Sequence, residues 1–192
     1  LTEAGVYSGA TVTTTSKNGD VEIYAHDYLH ESEYIGGTSV GIFGSTDSTY
    51  AQNNGNQKVT VTISGRIDAM GSVYIHTNSD AYQYAKTGSS DYSIFYTGSK
   101  AKAYNNLTRV VEIDIKSSAV ILADYGSLTI AALSGQSDDI YATVSGDSAS
   151  GVTILKGEVV NTFNGTTQVN IAGGAVITNT FGTVKITATG GN

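Results

Sequence analysis

The 192-residue sequence has no cysteine, no proline, no tryptophan and one methionine, and its only arginines are Arg66 and Arg109. Without cysteine there is no disulfide framework, no thiolate nucleophile, no iron–sulfur cluster and no thiolate-bound zinc. Ten basic against 17 acidic side chains leave a formal charge of −7. Phosphate backbones require clustered cations, so nucleic acid is not an expected partner. No apolar run approaches the roughly 18 residues of a membrane span, and no membrane insertion is expected. The missing proline is the most informative absence, because ordinary usage near 5% would place about nine or ten in such a chain. Proline cannot donate to a β-ladder and is confined to edges, first residues and bulges. A chain without any reads as one whose strands are hydrogen-bonded on both sides. The sequence opens at Leu1 without methionine or leader, which reads as a processed or excised piece.

What is present is a repeat. Gly19-Asp-Val-Glu-Ile-Tyr-Ala25 returns at Gly71, Gly126 and Gly182, at intervals of 52, 55 and 56 residues, as Gly-x-[Val/Leu]-x-Ile-x-[Ala/Thr]. Between these motifs, further segments align in a constant order. A first, strand-like run reads Gly41-Ile-Phe-Gly-Ser45, Ser93-Ile-Phe-Tyr-Thr97 and Thr153-Ile-Leu-Lys-Gly157. A second reads Val59-Thr-Val-Thr-Ile63, Val111-Glu-Ile-Asp-Ile115 and Val169-Asn-Ile171. A short apolar step follows at Ile67 to Ala69, Val120 to Ala123 and Val176-Ile177.

Apolar and polar residues alternate with period two, the pattern of strands with one buried face, which turns Val21, Ile23 and Ala25 inward and Glu22, Tyr24 and His26 outward. Turns are expected at 16–19, 53–56, 87–90 and 172–175, where Gly, Asn and Ser cluster.

A tandem sandwich needs about 100 residues per unit, more than this repeat offers. The sequence predicts an all-β fold, a right-handed parallel β-helix (solenoid) with irregular repeats of about 55 residues. The whole chain, 1–192, forms one elongated solenoid with units near 19–70, 71–125 and 126–181 and a partial unit at 182–192. Two or three coils of about 18 to 25 residues per repeat are expected, and some eight to ten coils would make a rod roughly 40–50 Å long.

With Gly71 to Ser89 and Gly126 to Ser137 in view, the chain resembles the repeat regions of large bacterial exoproteins related to filamentous haemagglutinin. These are two-partner-secretion or autotransporter passengers. The resemblance runs over nearly the whole chain from Gly19 and implies a secreted β-helical segment of an adhesin, exotoxin, matrix scaffold or toxin stalk, without a cofactor. The family's amino-terminal Asn-Pro secretion motif is absent, which implies an interior or carboxy-terminal stalk.

Candidate sites are few. His26 and His30, four apart beside Asp27, Glu31 and Glu33, have a metal-ligand spacing only on a helix. Here they leave a strand and read as a solvated polar loop, with a weak metal site as the alternative. His76 reads as an outward strand residue. Paired carboxylates for a polysaccharide-acting enzyme are conceivable at Glu112 and Asp114 or at Asp138 and Asp139, yet nothing in the sequence pairs them with Arg66 or Arg109. Threonine runs at 11–15, 59–62 and 187–189 are short for an ice-binding array. The glycines fit turns and match no nucleotide loop.

Twelve of the 13 tyrosines lie between Tyr7 and Tyr125, and Tyr24, Tyr74, Tyr82 and Tyr84 follow the first two glycine motifs. Exposed tyrosines supply rigid area with a polar tip, suited to sugars or a protein partner; the alternative is that they only cover the strands. Together with the resemblance, which implies secretion and a bacterial source, the sequence predicts a non-enzymatic, secreted or cell-surface bacterial adhesin or stalk. It would use no cofactor and no metal, and contact a cell-surface protein or glycan through Tyr24, Tyr74, Tyr82 and Tyr84. The alternatives are a filament or biofilm-matrix subunit, a homo-oligomer stacked end to end, and then a polysaccharide-acting β-helix enzyme.

Overall fold

A computed structural model describes residues 1–190, in which thirteen β-strands pair only in parallel and no helix occurs among the described residues. The first coil is β1 (Thr2–Val6), β2 (Thr11–Thr14) and β3 (Val21–Gly41). The second is β4 (Ser45–Ile63), β5 (Arg66–Ala69) and β6 (Val73–Ser93). The third is β7 (Tyr96–Ile115), β8 (Val120–Ala123), β9 (Leu128–Ser134) and β10 (Asp139–Ala149). The fourth is β11 (Val152–Ile171), β12 (Val176–Asn179) and β13 (Val184–Gly190). Corresponding strands stack into a front sheet (β1-β4-β7-β11), a short sheet (β2-β5-β8-β12) and a back sheet in which β6 pairs with β3, β9 and β10, and β9 with β13. The chain is a parallel β-helix.

One repeat is one coil. Val21, Val73, Leu128 and Val184 are direct neighbours across the back sheet, as are Ile67, Ile121 and Ile177 across the short sheet. This corrects the expectation of two or three coils per repeat and of a rod of eight to ten coils. Strands β3 and β6, each of 21 residues, run about 70 Å across the coil axis, while four stacked strands span only about 15 Å along it. The error arose at 53–56 and 87–90, read as turns from their Asn, Gly and Ser content. Both lie inside long strands, β4 and β6, where Asn53 bonds Asn105 and Thr87 bonds Thr49 in the interior of the solenoid. The turns at 16–19 and 172–175 do separate strands. The Ile-Phe runs at 42–43 and 94–95 are likewise turns rather than strands; Thr153 to Gly157 is in a strand, β11, but pairs with Thr97 to Ala101, and the third turn is Ser150-Gly151.

The cross-section has two halves. At the base, three sheets enclose an apolar prism. Val59, Val61 and Ile63 from the front, Ile67 from the short and Val73 and Ile75 from the back sheet are fully buried, and Val111, Ile113, Ile121 and Ile130 repeat them one coil up. Each such side chain contributes about 1.5–3 kcal/mol through removal from water. Beyond the base only the front and back sheets remain, packed face to face as a wing.

The wing's interior is mainly polar, and its apolar cluster is the small set Ala51, Ala85 and Ala103. Asn53 Nδ2 donates to Asn105 Oδ1 (2.9 Å) and Asn105 Nδ2 to Asn161 Oδ1 (3.0 Å), an amide ladder climbing three coils. Four residues nearer the base along β7, Arg109, whose side chain is wholly buried, forks its guanidinium onto Asp138 (2.8 Å twice) and donates through Nε to Gln57 (2.9 Å). A two-residue insertion between β9 and β10 brings Asp138 there: Gly135, at φ +65°, turns the chain out of the ladder, and Asp138 accepts the Ala81 amide instead (2.7 Å).

Candidate functional site

The outer face of the back sheet collects the aromatic side chains. Strict alternation along β3 points Glu22, Tyr24, His26, Tyr28 and His30 outward, and along β6 it does the same for Tyr74, His76, Tyr82 and Tyr84. Parallel pairing then sets Tyr24 beside His76 and His30 beside Tyr82, while β10 adds Tyr141 beside Tyr84.

The rings meet. His30 stacks on Tyr82 with centroids 4.6 Å apart; Tyr141 lies 4.5 Å from Tyr84 and edge-on to Tyr82 at 5.8 Å. The Tyr82 and Tyr141 hydroxyls are hydrogen-bonded at 2.8 Å, and Tyr84 Oη reaches Thr143 Oγ1 at 3.3 Å. The hydrogen bond with Tyr82, then loss of hydration, then the nearby Tyr82, Asp139 and Tyr84 push the Tyr141 hydroxyl up to about 12. It stays neutral through the physiological range, both donor and acceptor.

A second group joins Tyr24 to His76 (4.3 Å) and to His26 (5.8 Å), with His76 Nε2 2.8 Å from Glu22 Oε1. Of the four tyrosines singled out in the sequence, Tyr82 and Tyr84 thus share one cluster and Tyr24 belongs to another. Tyr74 is exposed and stands eight residues from Tyr82, about 26 Å along the strand. His30 and Tyr141 were missed. The signal was available for His30, since period-two alternation from Tyr24 already puts it outward. Tyr141 was masked by the insertion before it, which shifts the repeat by two residues.

Other sequence candidates are placed differently. His26 and His30 sit within a long strand, not in a polar loop, and alternation turns Asp27, Glu31 and Glu33 to the opposite face. Glu31 there accepts from Gln83 Nε2 (2.7 Å) and Glu33 from the Gln52 amide (2.7 Å), so the carboxylates face away from the imidazoles. Both arginines have acidic partners: Arg66 holds Asp68 at 2.7 Å, and Arg109 holds Asp138, a pairing the sequence did not show. The second pair is enclosed in the wing and parts Asp138 from Asp139, which stays outward. Glu112 and Asp114 do share the outer face of β7, bridged by Asn170 Nδ2 at 2.5 and 3.0 Å. Burial opposes ionisation of Asp114, but hydrogen bonds from Lys116 and Asn170 outweigh it and hold the carboxyl below its usual range. An acid kept ionised in this way is a poor proton donor. Thr60 and Thr62 neighbour Glu112 and Asp114 rather than further threonines, so the threonine run does not extend across coils.

Compared with protein-family models, curated proteins and solved structures, the chain matches none.

Proposed function

We propose that this β-helix is a non-enzymatic, secreted or cell-surface bacterial segment, an adhesin or structural stalk that presents the outer face of its back sheet to a cell-surface glycan or protein. The observation that carries this reading is the contiguous patch of His30, Tyr82, Tyr84 and Tyr141. Its packed rings form a half-exposed apolar platform for a sugar or a partner side chain, and its hydroxyls supply donors and acceptors at the rim. The face is set on paired strands, so little conformational freedom is lost when it binds. The test is a glycan and cell-binding screen of the chain against its Y82S/Y84S variant, with Y74S as the separated control. Binding lost in the double variant and kept in Y74S supports the reading. Equal binding by all three proteins removes the tyrosine patch from it.

A second reading, a subunit of a self-assembling extracellular filament or matrix fibre, is favoured by the open fourth coil. Leu155, Val159 and Phe163 occupy inward positions of β11 yet remain about half exposed (50%, 49% and 46%). They offer a rung to a following coil, of the same chain or of a second copy. Light scattering and electron microscopy of the purified chain test it. A monodisperse monomer at high concentration rules out self-assembly.

A further inference from the structure

The edge where front and back sheets meet, at the far end of the wing, carries a different surface. Here the chain passes between sheets through Ile42 to Gly44, then Ile94-Phe95, then Ser150-Gly151. These turns are stacked and pinned. The Ile94 amide donates to the Ile42 carbonyl (3.2 Å), the Gly151 amide to the Ile94 carbonyl (3.2 Å) and the Val152 amide to the Phe95 carbonyl (2.9 Å). The Tyr96 amide is held by Ser93 Oγ at 3.0 Å. Phe43 and Phe95 stack in parallel, 5.9 Å apart and 6° from coplanar. The result is a rigid, narrow apolar ridge whose side chains face solvent: Val40 and Phe43 are each 78% exposed, Ile42 66%, Ile94 64% and Phe95 57%. Such contiguous exposure of large apolar groups marks an interaction surface.

Three features select its partner. No charged residue occurs from Val40 to Thr46 or from Tyr92 to Ser99, and the two nearest carboxylates along those strands, Asp47 and Asp91, turn inward, Asp91 to full burial. Tyr92 and Tyr96 straddle Ile94-Phe95, placing amphipathic rings behind an apolar tip, the order of groups found at a lipid–water boundary. The ridge is narrow, formed where two packed sheets about 10 Å apart are joined, with an open hollow between Val40, Ile42, Tyr92 and Ile94 on its back-sheet flank. Two stacked turns one sheet-pair wide fall short of the roughly 800 Å² per partner of a stable protein interface, whereas a bilayer deforms around a narrow apolar ridge.

We propose that the Ile42-Phe43/Ile94-Phe95 ridge docks the protein peripherally on a lipid bilayer, with the four side chains at the boundary between headgroups and acyl chains. The docking is peripheral: no helix among the described residues is long and apolar enough to cross a membrane. The contact is driven by apolar burial rather than charge, since the turns hold no cation. It is independent of the aromatic face, some 12 residues away along β6.

The test is co-sedimentation of the chain with phosphatidylcholine vesicles at low and high salt, beside F43S/F95S, I42S/I94S and Y82S/Y84S, each checked for unchanged circular dichroism. Binding that survives high salt, falls about tenfold or more in either ridge variant and persists in Y82S/Y84S supports the proposal. Three results overturn it: no binding of the parent chain to phosphatidylcholine, equal binding by the ridge variants, or lipid-free self-association abolished in F43S/F95S, which would make the ridge a contact between copies. The persistence of vesicle binding in Y82S/Y84S also separates this outcome from that of the glycan screen.

Discussion

The base and the wing of the same coil are built from the same parallel strands but held by different forces. At the base, Val61, Ile113 and their neighbours stack in a dry prism closed by three sheets, and stability scales with apolar area. In the wing, two sheets face each other across Asn, Gln, Ser, Thr and small Ala side chains, with Arg109 and Asp138 among them. There, hydrogen bonds to adjacent coils replace area. Several buried wing oxygens, including Ser79 Oγ, Ser89 Oγ and Asp91 Oδ1, have no protein partner, and each such group costs about 1–3 kcal/mol. The contrast teaches that apolar rungs give this β-helix its stability while polar ladders set the register of its long strands. An Asn opposite an Asn satisfies both amides, whereas a shift of one residue would turn each ladder side chain to the outer face.

That contrast can be broken most severely at Arg109. R109A leaves Asp138 enclosed without its counter-charge and is expected to cost about 3–5 kcal/mol in urea unfolding, with R109M/D138L recovering most of the loss. Next come two buried residues of the same strand. I113A, in the base, should cost about 2–5 kcal/mol, and N105A, in the wing, about 1–3 kcal/mol, since the first opens a cavity and the second removes ladder bonds. Thermal unfolding of the two variants side by side sharpens the comparison; a larger loss in N105A would reverse it.

The smallest effect is expected at Asp114, on the outside of the base. Its carboxyl is held below the ordinary 3.8, so its contribution is present above that value and is lost as pH falls through the lower, folded-state value. D114N should lower stability slightly at neutral pH, flatten the acid limb of the profile below about pH 4 and converge with the parent chain in acid.

How far the sequence could be read follows the same division. The Gly-x-Val-x-Ile motif and the Val59 to Ile63 alternation report on the base, where hydrophobic periodicity is the dominant signal, and both were placed correctly. In the wing the inward residues are Asn53, Gln57, Ser89 and Asp91, so period two no longer alternates apolar with polar and the segments mimic turns. Only the neighbouring coil reveals that Asn53 is paired with Asn105 and Gln57 with Arg109. The tyrosine face was legible in part, because alternation assigns Tyr82 and Tyr84 to one side, but joining them to Tyr141 required the two-residue insertion before β10. The Ile-Phe turns resembled strands for the opposite reason: their composition is that of a core, and their exposure follows from the junction of the two sheets.

Residue-resolved amide hydrogen exchange under native conditions tests the division most directly. The account predicts the slowest exchange at Val61 to Ile63, Ile75, Ile113 to Ile115 and Ile121, with wing amides from Ala85 to Asp91 and Ser99 to Ala103 opening at lower free energy despite equally continuous ladders. Uniform protection along β6 and β7, or a wing that outlasts the base, would contradict it.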